Sequence, residues 1–178
     1  VRQRLEALRE GSATDRIRLA GQLGRRLAEV AGLDSPLAIE LAALLTTDAE
    51  RNQFLSSYLM RLGQLEPTAA LALAQQVADQ LRATSTTSGL NAFGRVAALG
   101  SVFRGWASVD PYAAALAAAN QPADVRQAVL SVVADVWAAN DLPGALAWGQ
   151  SLAESGAGTV AIARIAAQWA TKDLQGAI

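Results

Sequence analysis

The sequence predicts an all-α chain, a right-handed α-solenoid of about five stacked antiparallel helix hairpins of 31–32 residues each. Three observations lead there. One pattern recurs: a large apolar anchor, an acid four residues later, and an alanine four residues after that. The instances are Trp106/Asp110/Ala114, Trp137/Asp141/Ala145 and Trp169/Asp173/Ala177. Upstream the tryptophan becomes aliphatic, in Leu62/Glu66/Ala70 and Val30/Asp34/Ala38. Second, the positions before each anchor are apolar at helical spacing: Leu23, Leu55, Leu99, Leu130 and Ile162 stand seven residues ahead. Leu27, Leu59, Phe103, Ala134 and Ala166 stand three ahead, on the same face. Third, no stretch alternates apolar and polar residues long enough for a strand.

Each anchor, Val30, Leu62, Trp106, Trp137 and Trp169, is expected near the end of the first helix of its unit, in the core between units. Four residues before the anchors stand Arg26, Tyr58, Val102, Val133 and Ile165, so the first unit departs there. The acids Asp34, Glu66, Asp110, Asp141 and Asp173 have a local task. A helix start leaves backbone N–H groups without partners, and a carboxylate accepts from them. Proline follows closely in Asp34-Ser35-Pro36, Glu66-Pro67, Asp110-Pro111 and Asp141-Leu142-Pro143, where its missing N–H costs nothing. The alanine then falls one turn into the second helix, where a small side chain permits close approach.

Taken in order, Arg2–Glu10 reads as a short helix, the tail of an earlier unit. Ser12 and Asp15 cap a helix over Thr14–Ala31, and Ser35–Leu45 is its partner. Thr47 and Glu50 form a capping box for Asp48–Gly63. Pro67–Leu81 follows. The anchors 62 and 106 are farther apart than the other neighbours, and residues 82–91, RATSTTSGLN, account for the surplus as a polar loop insertion. Ala92–Ala107, Pro111–Ala119, Pro122–Ala139, Leu142–Ala153 and Gly158–Thr171 complete the helices. Residues 156–161 match a dinucleotide-binding glycine pattern, but that motif needs a preceding strand, and here a helix precedes it. It reads as a helix–helix turn.

Composition narrows the function. Hydrophobic residues make up 52% of the chain and charged residues 17%, with much of the excess in alanine, as tight helix packing requires. The net charge of −1 predicts no bulk attraction to nucleic acid or to an anionic membrane. The longest uncharged run, Pro111–Ala123, is shorter than the roughly 20 residues a spanning helix needs, so no membrane insertion is expected. With no cysteine and no histidine, disulfides, thiolate metal sites, cysteine nucleophiles and histidine bases are excluded. No metal or cofactor is expected, and composition does not assign a compartment. The chain begins at Val1 and stops at Ile178, five residues into a second helix, and is read as one solenoid domain, 1–178, of a longer protein. A cut solenoid exposes an apolar end face, so self-association through its ends is expected.

The segment Asn140-Asp141-Leu142-Pro143-Gly144-Ala145-Leu146 resembles the turn and second-helix start of tetratricopeptide repeats. The aliphatic residue after the alanine recurs as Ile39, Leu71, Leu146 and Ile178, with Ala115 the exception. The period of 31–32 differs from that family's 34, and no consistent proline closes the unit. The Trp-x-x-x-Asp signature is also similar to repeats of uncharacterised bacterial proteins. The resemblance implies a non-enzymatic scaffold that binds a protein or peptide along a surface formed by the first helices. The alternative is a structural superhelix flanking a catalytic or receptor domain, such as a cell-envelope enzyme, in a larger bacterial protein. An independent enzyme is disfavoured because the acids are accounted for as caps.

Candidate partner contacts are Arg51, Arg95 and Arg126, each eleven residues before an anchor. A cation is disfavoured at a helix N-terminus, so these arginines need a reason, and capture of an acidic segment or a C-terminal carboxylate supplies one. Pairing with Asp48, Glu50 or Asp124 is the competing explanation.

Overall fold

The computed structural model describes residues 12–84, 94–151, 162–167 and 169–170. The described residues are helical, with no strand among them. Eight helices have defined bounds: α1 Ala13–Ala31, α2 Ser35–Ala43, α3 Asp48–Leu65, α4 Pro67–Thr84, α5 Arg95–Val109, α6 Pro111–Ala119, α7 Ala123–Asn140 and α8 Leu142–Ser151. Residues 162–167 and 169–170 are also helical. The expected helix over 2–10, the turn at 156–161 and Asp173 lie outside the described residues.

The recurrent pattern is the signature of a one-residue link between helices. Only Glu66 separates α3 from α4, only Asp110 separates α5 from α6, and only Asp141 separates α7 from α8. These three residues share one backbone conformation, φ/ψ of −140/67, −136/87 and −143/87. Each link N–H closes the preceding helix by donating to the anchor carbonyl: Glu66 to Leu62 at 2.7 Å, Asp110 to Trp106 at 2.8 Å and Asp141 to Trp137 at 2.7 Å. Each link carbonyl opens the next helix by accepting from the alanine N–H, of Ala70 at 2.9 Å, Ala114 at 3.1 Å and Ala145 at 3.1 Å. At two links the carboxylate adds a third bond, Asp110 accepting from the Ala113 N–H at 2.9 Å and Asp141 from the Gly144 N–H at 3.1 Å, whereas the longer Glu66 side chain, also expected to cap, makes no such bond. The first helices therefore run two residues farther than expected in α3 and α5, because a single residue suffices to turn the chain.

Ala38, Ala70, Ala114 and Ala145 are all fully buried, which explains why the pattern demands a methyl group there. Replacing Asp110 by alanine removes one cap bond and should cost about 1 kcal/mol. Asparagine, which retains an accepting oxygen, should cost less. Thermal melts of the two variants decide this, and equal losses would reject the capping role.

The chain divides into two compact units, residues 1–105 and 106–178. In the first, α3 is central. It packs along α1 and also meets α2 and α4, while α2 touches α4. Glycines set the closest approaches. A Cβ on Gly24 would collide with the Phe54 carbonyl, one on Gly63 with the Val102 carbonyl, and one on Gly105 with the Met60 carbonyl. Backbone thus meets backbone between α1 and α3 and between α3 and α5. Tyr58, Phe54, Leu55, Leu59, Leu62, Leu99, Val102 and Phe103 fill the interior of this unit. In the second unit α7 lies against α6 and α8. Its interior holds Val129, Leu130, Val133 and Ala134 of α7, together with Ile165. Gly149 lets α8 approach residues Ile162 and Ile165.

Two expectations are corrected here. Val30 is 86% exposed and is not a core anchor. Its helix ends differently: Gly32 turns the chain at φ 56, and the Asp34 N–H bonds the Ala31 carbonyl at 3.3 Å instead of that of residue 30. The link is therefore longer, and the face carrying Val30 is left open. Asp34 still caps α2, accepting from the Leu37 N–H at 3.2 Å. The polar insertion is also shorter at its start than expected, since α4 continues to Thr84; residues 85–91 lie outside the described residues.

Candidate docking surface

The remaining anchors behave unequally. Leu62 is buried, and Trp137 is buried with 7% exposure. Trp106 and Trp169 are half-buried. Trp137 stacks on Trp148 of α8 with ring centroids 5.4 Å apart and planes inclined by 24°. This contact welds α7 to α8. Trp148 stood outside the recurrent pattern in the sequence, yet it occupies the eleventh position after an anchor, where Leu41 and Leu73 stand in earlier instances. That column was the available signal.

Arg51 and Arg126 each hold the loop in front of their own helix. Arg51 donates to the Leu45 carbonyl at 2.6 Å and pairs with Asp48 at 2.6 Å. Arg126 donates to the Gln121 carbonyl at 2.8 Å. A cation at a helix N-terminus, unfavourable against the dipole, is here fixed by carbonyls that the preceding loop leaves unmatched. Arg95 is half-buried at the start of α5 and also has interaction partners.

Glu50 is the most deeply placed charge among the described residues, at 2% exposure. Its carboxylate accepts from Arg16 Nε at 2.9 Å, from the Thr46 N–H at 3.1 Å and from the Thr46 hydroxyl at 2.9 Å. The Glu50 N–H donates in turn to the Thr47 hydroxyl at 3.2 Å, so the capping box is present and carries an ion pair to α1. Burial raises the Glu50 carboxyl, but the bonds from Arg16 and Thr46 outweigh it and hold the group below its ordinary value. The cluster is a tie between α1 and α3, with both carboxylate oxygens bonded to structural donors.

Tyr58 is fully buried, and its hydroxyl donates to the Gly32 carbonyl at 2.7 Å. Burial, and secondarily the charge of Asp34, push its phenol up to about 12. It fastens the widened link between α1 and α2 to α3.

That link leaves a groove of about 280 Å³ open on one side between α1 and α2. Leu23, Leu27 and Val30 line it from α1, and Leu37, Leu41 and Leu45 from α2. Phe54 of α3 closes its base, and Arg26 is its one charged lining residue. The spacing of Leu23 and Leu27 places them with Val30 on a core-facing stripe, so the groove was not expected.

Among the described residues no three His, Cys, Asp or Glu side chains come together as metal ligands, and no helix is long and apolar enough to cross a membrane. The described residues are thus all-helical, with an apolar groove between α1 and α2. No family model, no curated protein and no solved structure matches it.

Proposed function

We propose that this chain is a non-enzymatic scaffold, a right-handed solenoid of tetratricopeptide-like hairpins that binds a protein or peptide segment. The observation that carries the reading is the recurrence of one link geometry at Glu66, Asp110 and Asp141, each followed by a fully buried alanine. A sequence that repeats its turn with the same bonds is built from like units, and like units in series form an extended surface. The lack of histidine and cysteine and the capping duty of Asp34, Asp110 and Asp141 support a role without bond chemistry.

The test is affinity capture from a lysate of the source organism with the whole chain as bait, followed by mass spectrometry. A variant with Arg51, Arg95 and Arg126 replaced by alanine serves as comparison, with its melting temperature measured alongside. A stoichiometric partner retained by the parent supports the scaffold reading. Loss in a variant that melts like the parent assigns the arginines to the contact. Absence of any stoichiometric partner rejects the reading in favour of a structural superhelix serving a neighbouring domain.

A further inference from the structure

We propose that the groove between α1 and α2 is a docking site for a short amphipathic helix with leucine-sized side chains along one face and acidic side chains beside them. The inference rests on the reading of the chain as a partner-binding module and gives that reading a place and a partner chemistry.

The apolar face of α1 shows what kind of element fits. In the second instance of the pattern the corresponding residues, Leu55, Leu59 and Leu62, are fully covered, and α3 is surrounded there by α1, α2 and α4. In the first instance Leu23 and Leu27 are only half-buried and Val30 is exposed. Wherever the fold covers this face, it covers it with helix. The open residues recur at spacings of four and three, the spacing that an incoming helix meets with its own i, i+3, i+4 and i+7 side chains. Apart from Arg26, the lining offers a ligand only hydrocarbon.

The occupant is not another first helix of the same pattern. On α3, the positions that receive α1 include Glu50, Phe54 and Ser57, all buried. The matching positions on α1 are Arg18, Gln22 and Arg25, all exposed. A helix stacked on α1 as α1 stacks on α3 would bury two guanidinium groups, that of Arg18 with only Asp15 as partner at 2.9 Å and that of Arg25 with none among the described residues, and burying such charge is strongly unfavourable. The stacking direction is therefore closed by charge, while the groove beside it remains apolar and open.

Charge selects the ligand. Arg25 is exposed on α1, and Arg26 stands at the groove itself. Arg26 pairs with Glu29 at 3.2 Å while its side chain is 72% exposed. Such a surface pair contributes little, so a carboxylate on the ligand can replace Glu29 as its partner at small expense. A basic flank on the ligand would instead meet Arg26.

The test uses the whole chain and a fluorescent, helix-stabilised synthetic peptide of about 15 residues, with leucines at i, i+4, i+7 and i+11 and glutamates beside them. One comparison peptide carries lysine in place of glutamate, and another serine in place of leucine. Anisotropy should give a dissociation constant on the order of 10 μM for the glutamate peptide, with the lysine and serine peptides at least about tenfold weaker. Val30→Glu should weaken binding at least about tenfold without changing the melting temperature, because Val30 is exposed. Tyr112→Glu, at another exposed apolar position, should leave binding unchanged.

Absence of binding, equal binding of the lysine peptide, or binding indifferent to Val30→Glu overturns the proposal. So does a dimer in sedimentation that Val30→Glu dissolves, which would make a second copy the occupant. Binding seen only after removal of residues 1–11 would likewise assign the groove to the chain's own N-terminal segment. A lysate partner that Val30→Glu still retains would leave the scaffold reading standing and remove only the groove.

Discussion

Replacing Arg16 by methionine will destabilise the protein by about 3 kcal/mol, more than replacing Glu50 by glutamine will. Removing one member of a buried pair leaves the other without compensation, at a typical cost of 3–5 kcal/mol. The two partners are buried unequally: the Glu50 side chain is 3% exposed and that of Arg16 28%. Without Arg16 the carboxylate keeps only the neutral donors of Thr46 and Thr47 and is shielded from water. Without the Glu50 charge, Arg16 can turn towards solvent, so Glu50→Gln should cost about 1–2 kcal/mol. Acid dependence provides a second check. The Glu50 carboxyl titrates below its unfolded value in the native state. The unfolded chain therefore takes up a proton first as pH falls. The stability from this group is fully present above its ordinary value of 4.5 and is lost as pH falls through the lowered native value. In Arg16→Met the lowering by the guanidinium is lost, so the gap between parent and variant should narrow below about pH 4. Urea melts at neutral and acidic pH measure both effects. A gap that is constant with pH would show that the ion pair is not what Arg16 contributes.

Gly24→Ala should cost about 2–3 kcal/mol, although alanine is favoured over glycine in a helix interior by up to about 1 kcal/mol. Its new methyl group would meet the Phe54 carbonyl and the Tyr58 amide nitrogen, which belong to the backbone of α3 and cannot rotate away. The two helices would have to separate, and the Tyr58–Gly32 bond and the Arg16–Glu50 pair both cross the same contact. Gly21→Ala is the informative comparison. There the nearest atoms are the Gln53 amide and the Ser57 hydroxyl, the movable ends of side chains. Its loss should stay below about 1 kcal/mol, with the helix-propensity gain offsetting the adjustment. Denaturant midpoints of the two variants rank them. Equal midpoints would mean that the close approach of α1 to α3 does not depend on the missing side chain at Gly24.

The helix boundaries and the links were legible because their causes are local. An acid followed by proline, with an alanine four residues beyond the acid, contains nearly all the information needed to end one helix and start another. The described geometry at Asp110 and Asp141 uses those residues as the sequence implies. The leucine columns likewise announced the interior of α3 and α7. Less legible were the groups whose role depends on a distant neighbour. Nothing near Arg16 in the chain points to Glu50, and nothing near Trp148 points to Trp137 except a column shared with two leucines. Arg51, Arg95 and Arg126 looked like a row facing outward. Arg51 and Arg126 reach back instead to carbonyls five or six residues earlier, a choice open to any long side chain and invisible to spacing alone.

By itself, the sequence determined that the described residues are helical, where most helices begin and end, and that Asp34, Asp110 and Asp141 cap them, because those outcomes follow from bonds made within about one turn. Tertiary structure decided that Val30 is exposed, that Glu50 is buried with an arginine, and that a groove opens between α1 and α2. Each depends on how far two helices stand apart. That separation is set by backbone contacts at single glycines and by one left-handed turn at Gly32, features that hydrophobic spacing does not encode.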